Sequence, residues 1–208
     1  MAILIRIAHG LPRGSRDGRH KRTLRRLLGA LLPIAVLCVV GTLWAPAAEP
    51  QLSEPQIKAA FLVNFPKYVD WPAEVFAKTN SPIVLSVLGG NKLGDELAKM
   101  VAGKTVEGHP LMLKIVAKDE EIPTDCHILF VGATERQRFP AILKKLGDAP
   151  ILTVGESDDF LANGGIINLG KQDKKVSVEV NLGSANKARL RISSKLLNVA
   201  HVQKDTAR

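Results

Sequence analysis

Short apolar runs closed by glycines or polar turns recur along the chain after residue 80. Four of these runs predict buried strands, at residues 82–90, 111–117, 127–132 and 151–156. The third run, HILFVG, is apolar throughout after its histidine, as expected for a strand that helices cover on both faces. Amphipathic stretches separate the runs, and this alternation indicates βαβ units with mainly parallel strands.

The segment before the first strand predicts an amphipathic helix. Ser53 is a suitable N-cap and Pro55 suits the first turn, where its missing N–H is not needed. Pro66 is expected to bend the helix, because proline removes a backbone donor and clashes with the preceding turn. Trp71-Pro72 is expected to end it. The positions that recur at helical spacing, and so predict its buried face, are Ile57, Ala60, Phe61, Asn64, Phe65 and Tyr68.

The remaining segments complete the predicted architecture. Helices are expected at residues 91–101 and 134–147, and a helical turn closed by glycines at 157–165. Residues 165–170 and 174–181 predict a hairpin around GKQD, and the tail reads as two short helical pieces that break near Arg191-Ile192. Together these elements predict an α/β fold. It is a three-layer sandwich with helices on both faces of a mixed, mostly parallel sheet that has an antiparallel edge hairpin.

The first 47 residues resemble an export signal. They carry eight of the 29 basic residues and one of the 20 acidic ones, ahead of an uncharged apolar run at 27–44. The small-residue stretch APAAEP follows, so cleavage is expected after Ala47, with Ala48 as second choice. An uncleaved anchor is the alternative, since ~18 apolar residues just span a bilayer. We predict a cleaved signal peptide over 1–47, a flexible start at 48–54, one domain at 55–202, a tail at 203–208, and a periplasmic location.

Charge and motifs exclude several classes of function. Outside the leader the formal charge falls from +9 to +2, and basic clustering is limited to Lys171, Lys174 and Lys175. Nucleic-acid binding is therefore not expected. The sequence contains no GxSxG, HExxH or P-loop motif, and GGNKLG at Gly89-Gly90 lacks the spacing of a dinucleotide fingerprint. We predict no catalytic residue, cofactor or metal site.

Cys126 is the one cysteine outside the leader, so no internal disulfide is expected. A buried, inert thiol is the plainer interpretation, and a redox role or an intermolecular bridge is the alternative. Adjacent strand residues point to opposite faces, which argues against a catalytic pair formed by Cys126 and His127.

Three segments carry candidate binding residues. The first is FPKYVDWP, where Lys67, Tyr68, Asp70 and Trp71 place rare large aromatics beside charges, although core packing explains such aromatics equally simply. The second is NGGIIN, which ends at Asn168 and whose glycines permit a close backbone approach or a simple turn. The third is the tail, where Arg189, Arg191 and Lys195 suit an acidic group or a solvated face.

These segments, taken in order, resemble the YfiR-like family of exported bacterial proteins. The resemblance covers about residues 55–200 and rests on KAAFLVNFPKYVDWP, PIVLSVLG, CHILFVG, ILTVGESDDF, GGIINL, VSVEVNL and LRISSKLLNVA. It implies a periplasmic repressor that binds the periplasmic segment of an inner-membrane diguanylate cyclase and lowers cyclic di-GMP and biofilm formation. It also implies capture by an outer-membrane lipoprotein. Disulfide-based redox sensing, known for members with four cysteines, is not expected here, because only Cys126 remains.

The resemblance further implies binding of an aromatic amino acid, for which Lys67, Asp70 and the tail arginines are the candidates by position. We therefore expect a periplasmic sensor-repressor without enzymatic activity, for which a homodimer is compatible. The alternative is a periplasmic small-molecule binding protein that serves another membrane sensor or a transporter. A hydrolase or redox enzyme is a third, less favoured class.

Overall fold

A mixed sheet of eight strands forms the centre of the molecule in a computed structural model that describes residues 52–78, 80–117, 120–173 and 175–203. The predicted signal peptide, most of the flexible start and the end of the tail lie outside the described residues. The strands are β1 (Val69–Asp70), β2 (Ile83–Leu88), β3 (Thr105–Val106), β4 (His109–Val116), β5 (Ile128–Val131), β6 (Leu152–Gly155), β7 (Ile167–Gln172), β8 (Lys175–Asn181), β9 (Arg191–Ile192) and β10 (His201–Gln203).

The helices are α1 (Glu54–Asn64), α2 (Asn91–Val101), α3 (Phe139–Leu146), α4 (Leu182–Lys187) and α5 (Ser194–Leu197). Short 3₁₀ turns lie at Phe65–Tyr68, Ala73–Val75 and Ala133–Arg138. The main sheet has the order β10-β8-β7-β6-β5-β2-β4-β3, and β1 pairs with β9 in a separate two-stranded ribbon.

The sheet is mostly parallel, as predicted. Strands β4, β2, β5, β6 and β7 run parallel to one another, and β7 and β8 form the predicted antiparallel hairpin. The sheet extends one strand beyond this hairpin, because β10 pairs parallel to β8. At the other edge, the segment between α2 and β4 adds a second hairpin, β3–β4, beyond the elements predicted from sequence. Its turn residues Glu107 and Gly108 both have left-handed φ values, which suits a tight two-residue hairpin.

Two hydrophobic clusters on opposite faces of the sheet confirm the three-layer architecture. Leu62 of α1 and Leu97 of α2 pack with Phe130 and its neighbours on one face. Ile142 of α3 packs with Leu129 and its neighbours on the other face. Because adjacent residues of β5 contribute to different clusters, the strand is buried on both sides, which explains its continuous apolar sequence.

Helix α1 differs from the prediction in its length and in its buried face. The α-helix ends at Asn64, and the chain continues as a 3₁₀ turn that contains Pro66, because proline cannot supply the next intrahelical N–H. The residues that α1 buries are Lys58, Ala59, Leu62 and Val63. The positions predicted to form the buried face are only half-buried from Ile57 to Asn64.

Lys58 is buried because it joins α1 to the carboxyl ends of two strands. Its side chain is only 9% exposed, and its Nζ lies 2.7 Å from a carboxylate oxygen of Glu54 and 2.7 Å from one of Glu156. Glu156 follows β6, and its second oxygen accepts a hydrogen bond from the Ala133 N–H after β5. Burial alone would lower the pKa of Lys58, but the bonds to Glu156 and Glu54 raise it overall, so the lysine stays charged.

We expect Lys58→Met to lower the free energy of unfolding by about 2 kcal/mol, because the half-buried side chain of Glu156 would lose its counter-charge. Urea unfolding followed by circular dichroism measures this change. Lys67→Met is the matched control. Lys67 is exposed and forms no ion pair within the described part of the chain, so its change should stay below about 0.5 kcal/mol.

The double variant Lys58→Met/Glu156→Gln should be more stable than Lys58→Met, because a neutral amide requires no counter-charge. Equal losses in Lys58→Met and Lys67→Met would show that the ion pair does not hold α1 on the sheet.

Candidate functional site

Two loops pack closely at the place where open α/β sheets usually bind ligands. The strand beside β2 on one side is β4, and the strand beside β5 on the other side is β6, so the connections that leave these two neighbouring strands diverge. The usual crevice therefore lies at the carboxyl ends of β2 and β5. Here the Gly132 N–H donates to the Leu88 carbonyl at 2.8 Å, and the Thr134 hydroxyl donates to the Gly89 carbonyl at 3.1 Å. A Cβ atom on Gly132 would lie 2.3 Å from that Gly89 oxygen. Gly89-Gly90 therefore supports close packing of two loops.

An open apolar groove lies instead on the outer side of α1. We call it the α1–α5 groove, and its volume is about 530 Å³. Two of its residues are large apolar side chains left in contact with solvent, Leu52 at 63% and Val199 at 71% exposure. Its lining residues are Leu52, Ile57, Ala60, Phe61, Asn64, Phe65, Tyr68, Lys195, Leu196 and Val199. The helical face that the sequence marked as apolar is thus one wall of this groove.

The second wall is fixed by the tail. The Ser193 hydroxyl caps α5 by accepting from the Lys195 N–H. The Ser193 N–H donates to the Tyr68 carbonyl at 2.8 Å, next to the β1–β9 ribbon. These backbone bonds hold α5 against the turn that follows α1, so the groove has two walls in a defined position.

The polar groups of the groove are few. The Asn64 amide is used by its own helix, since its Nδ2 donates to the Ala60 carbonyl at 2.8 Å. Tyr68 and Lys195 are the other polar side chains in the lining. Lys195 is exposed and makes no ion pair within the described residues. The groove therefore suits an apolar partner or ligand that carries a negative charge at one end.

The FPKYVDWP residues do not converge on one site. Tyr68 lines the α1–α5 groove, while Lys67 is exposed on the turn. Asp70 and Trp71 line a separate cavity of about 170 Å³, which we call the β1–β4 pocket. Its lining residues are Pro66, Val69, Asp70, Trp71, Phe76, Ile83, Val106, Glu107 and His109.

Asn168, Arg189 and Arg191 do not line either site. Asn168 on β7 is 2% exposed, and its amide donates to Glu179 across the hairpin, so it serves the sheet. Arg189 forms an ion pair with Glu74 at 3.0 Å and has a left-handed φ of 55°. Arg191 lies opposite Asp70 in the β1–β9 ribbon. Of the tail arginines, only Arg191 is thus placed beside a candidate pocket.

Cys126 lies in the α3-side cluster, and its thiol donates to the Pro123 carbonyl at 3.6 Å. Burial raises the pKa of this thiol to about 11. A thiol with so high a pKa forms little thiolate near neutral pH, and the thiolate is the reactive species. The environment of Cys126 therefore favours the inert interpretation over a redox role.

His127 belongs to an aromatic cluster on the other side of the sheet from Cys126. Its ring stacks on Phe76 at 5.1 Å between centroids and meets Trp71 edge-on at 6.4 Å. Its Nδ1 accepts a hydrogen bond from the Val84 N–H at 3.1 Å, so the neutral ring carries its proton on Nε2. Burial lowers the pKa of His127, and His109 nearby adds to the effect.

Sequence reasoning missed several lining residues for identifiable reasons. Val199 and Leu52 are apolar residues outside any periodic pattern, at the ends of short elements. Phe76, Glu107 and His109 come from three separate segments that only the tertiary fold brings to Trp71. The tight turn at Glu107-Gly108 was a local signal from which this part of the β1–β4 pocket could have been predicted.

A family model described as YfiR/HmsC-like matches residues 55–201. The chain is also similar to the crystal structure of a conserved domain protein from Vibrio cholerae O1 biovar El Tor, with 12% identity and a TM-score of 0.49. That match covers 74% of this chain and 61% of the Vibrio protein. In the part of the chain that the structure describes, no helix is both long and apolar enough to span a bilayer.

The free energy of unfolding should fall as the pH is lowered from about 7.5 to about 5. The unfolded chain takes up a proton on His127 near its ordinary pKa of about 6.5, whereas the folded protein does so only at lower pH. His127→Asn should lack this part of the pH dependence, since its amide oxygen can still accept from the Val84 N–H.

Urea titrations at several pH values measure the effect. His201→Asn is the control, because His201 is exposed on β10 and should leave the pH dependence of the wild type unchanged. If His127→Asn retained the full pH dependence, the buried imidazole would not be its source.

Proposed function

The chain belongs to the YfiR/HmsC-like family, a periplasmic regulatory family, and on this premise we propose that it is a periplasmic sensor-repressor. It binds the periplasmic segment of an inner-membrane diguanylate cyclase and holds that enzyme inactive. Cyclic di-GMP is lowered as a result, and with it biofilm formation. An outer-membrane lipoprotein that captures the repressor would release the cyclase.

The α1–α5 groove is the observation that carries this proposal. It exposes apolar side chains from two elements to solvent. Exposed apolar grooves mark protein interaction sites, and an amphipathic helix docks in such grooves through residues on one face. Lys195 on the groove suits an acidic residue at the edge of that helix.

Repression requires the groove to favour one state of the cyclase. A partner that bound the active and inactive states equally well would shift nothing. Moving a cyclase from mostly active to mostly inactive takes about a 10⁴-fold preference for the inactive state, or about 5.5 kcal/mol. A contact surface with several apolar anchors can supply this preference if the docking segment is exposed only in the inactive state.

The second candidate function is binding of a small molecule, such as an aromatic amino acid, on behalf of another membrane sensor or a transporter. The size of the groove favours it, because about 530 Å³ falls within the usual range for ligand sites. The Lys195 ammonium would pair with a ligand carboxylate while Phe61 and Leu196 contact the apolar part. A thermal-shift series with amino acids tests this alternative directly.

The test of the repressor proposal uses the full chain, expressed with its leader and a C-terminal tag in the native host. We expect a membrane cyclase of the GGDEF type to co-purify with the tagged protein, and cellular cyclic di-GMP to rise when the gene is removed. Size-exclusion chromatography of the same sample tests the homodimer that we also propose.

Val199→Glu should weaken capture of the cyclase by about 30-fold, because it places a charge in the apolar groove. Met112→Glu is the matched control. Met112 is also a large exposed apolar residue, but it lies on β4 away from the groove, so its variant should bind like the wild type. Circular dichroism confirms that both variants fold.

Equal capture by wild type and Val199→Glu would exclude the groove as the docking surface. Failure to capture any cyclase, combined with a thermal shift by an amino acid, would favour the ligand-binding function.

A further inference from the structure

Strand β8 has a neighbouring strand along only part of its outer edge. Strand β10 pairs with β8 from Glu179 to Asn181 and does not extend along residues 175–178. The chain arrives from α5 and joins the sheet only at His201. Within the described residues no other strand lies on this side of β8. An open groove of about 340 Å³ borders the free stretch, and we call this open strand position beside residues 175–178 the β8 slot.

The backbone of β8 directs unused hydrogen-bonding groups into the slot. The Asn181 N–H donates to the Ile166 carbonyl at 2.9 Å, on the side of β7. Because successive strand residues bond to opposite sides, Val176 and Val178 direct their N–H groups away from β7, and Val176 also directs its carbonyl there. Among the residues that the structure describes, no loop or side chain forms a hydrogen bond with these groups. The slot therefore presents two donors and one acceptor in strand geometry.

The slot is continuous with the α1–α5 groove. Phe61 and Val199 line both, so a partner that occupies the groove can continue directly into the slot. The free stretch of β8 covers residues 175–178, which corresponds to a strand of about 13 Å. An extended segment of about four residues would therefore fill it.

The charges around the slot favour an acidic occupant. Lys175 is exposed, lines the slot and forms no ion pair within the described part of the chain. The hairpin sequence at 171–175, KQDKK, contains three lysines and one acidic residue, Asp173. One of these lysines is already paired with the first residue of α1. Lys195, on the adjoining groove, adds a further exposed positive charge.

We infer that an extended, acidic segment of the cyclase fills the β8 slot and adds a strand to the sheet in line with β10. This inference rests on the proposed function, because it identifies the part of the partner that continues beyond the groove. Main-chain hydrogen bonds with Val176 and Val178 hold the segment, and Lys175 pairs with one of its carboxylates. A helix could not use these strand groups, because its own backbone groups are bonded internally. A second copy of this chain would bring two lysine-rich hairpin ends to one edge, which is unfavourable.

A proline substitution tests the added strand. Val176→Pro removes an N–H that points into the slot and leaves the bonds to β7 in place, and proline is tolerated at such edge positions. We expect the full chain with this change to capture the cyclase about tenfold more weakly than the wild type. Ile115→Pro is the matched control on the free edge of β4. Its N–H also points outward, on the side where the Leu111 N–H donates to the Lys104 carbonyl, and its capture should be unchanged.

A peptide titration does not depend on the identity of the partner. The ¹⁵N-labelled full chain is titrated with a capped pentapeptide of alternating glutamate and valine, at constant ionic strength. We expect the amide signals of Val176 and Val178 to shift saturably, and the same peptide with lysine in place of glutamate to bind about fivefold more weakly. Lys175→Gln should weaken binding of the acidic peptide by about threefold. Lys144→Gln, the same change on the exposed side of α3, should leave it unchanged.

Unchanged capture by a folded Val176→Pro variant, unshifted Val176 and Val178 signals, or equal binding of the two peptides would overturn the inference. A dimer that Val176→Pro dissociates in size-exclusion chromatography would also overturn it, because the occupant would be a second copy. If the wild type captures no cyclase but binds the acidic peptide at these valines, the proposed function fails while the strand-binding slot is supported. Because Lys175 is exposed, Lys175→Gln is expected to fold and keeps the test decisive if Val176→Pro does not.

Discussion

The ion pair between Lys58 and Glu156 determines which side of α1 rests on the sheet. The helix is apolar on two sides, with Ala59, Leu62 and Val63 on one and Ile57, Ala60 and Phe61 on the other. Burial of apolar area alone distinguishes these sides poorly, since either would remove similar surface from water. Because Lys58 reaches a carboxylate at the end of β6, the orientation of α1 that buries this lysine is more stable than the other orientation. The second apolar side is thereby left to form the α1–α5 groove.

Pro66 separates the two candidate sites in a similar way. Had α1 continued as a bent helix to Trp71, Tyr68 and Trp71 would lie three residues apart on one helical face. The chain instead leaves the α-helix at Asn64, forms a 3₁₀ turn over Phe65–Tyr68 and continues into β1. Tyr68 therefore faces the groove, and Trp71 joins the pocket at β4 with Phe76. One proline thus gives a short segment two neighbouring but distinct surfaces.

Much of the fold was accessible from sequence, because buried parallel strands leave long apolar runs and capping residues mark helix ends. The layers and the β7–β8 hairpin were confirmed for this reason. The buried face of α1 was assigned wrongly because a lysine is normally expected in solvent, and its partner Glu156 lies 98 residues away. Strand β10 has three exposed residues, so it lacks the alternation of buried and exposed positions from which a strand is predicted. The β1–β4 pocket depends on contacts between distant segments, which local pattern does not encode.

The backbone hydrogen bond between Ser193 and Tyr68 joins segments that are distant in sequence, and this affects the order in which the two walls of the groove form during folding. Helices α1 and α2 are close in sequence and can meet early, whereas the second wall of the groove comes from a much later part of the chain. Contacts between such distant segments carry a large loop-closure cost and are generally made late in folding. Until they form, the outer side of α1 is a bare apolar stripe on a partly folded chain. The surface that serves recognition in the finished protein is therefore, for a time, the one most exposed to misassembly and most in need of a chaperone.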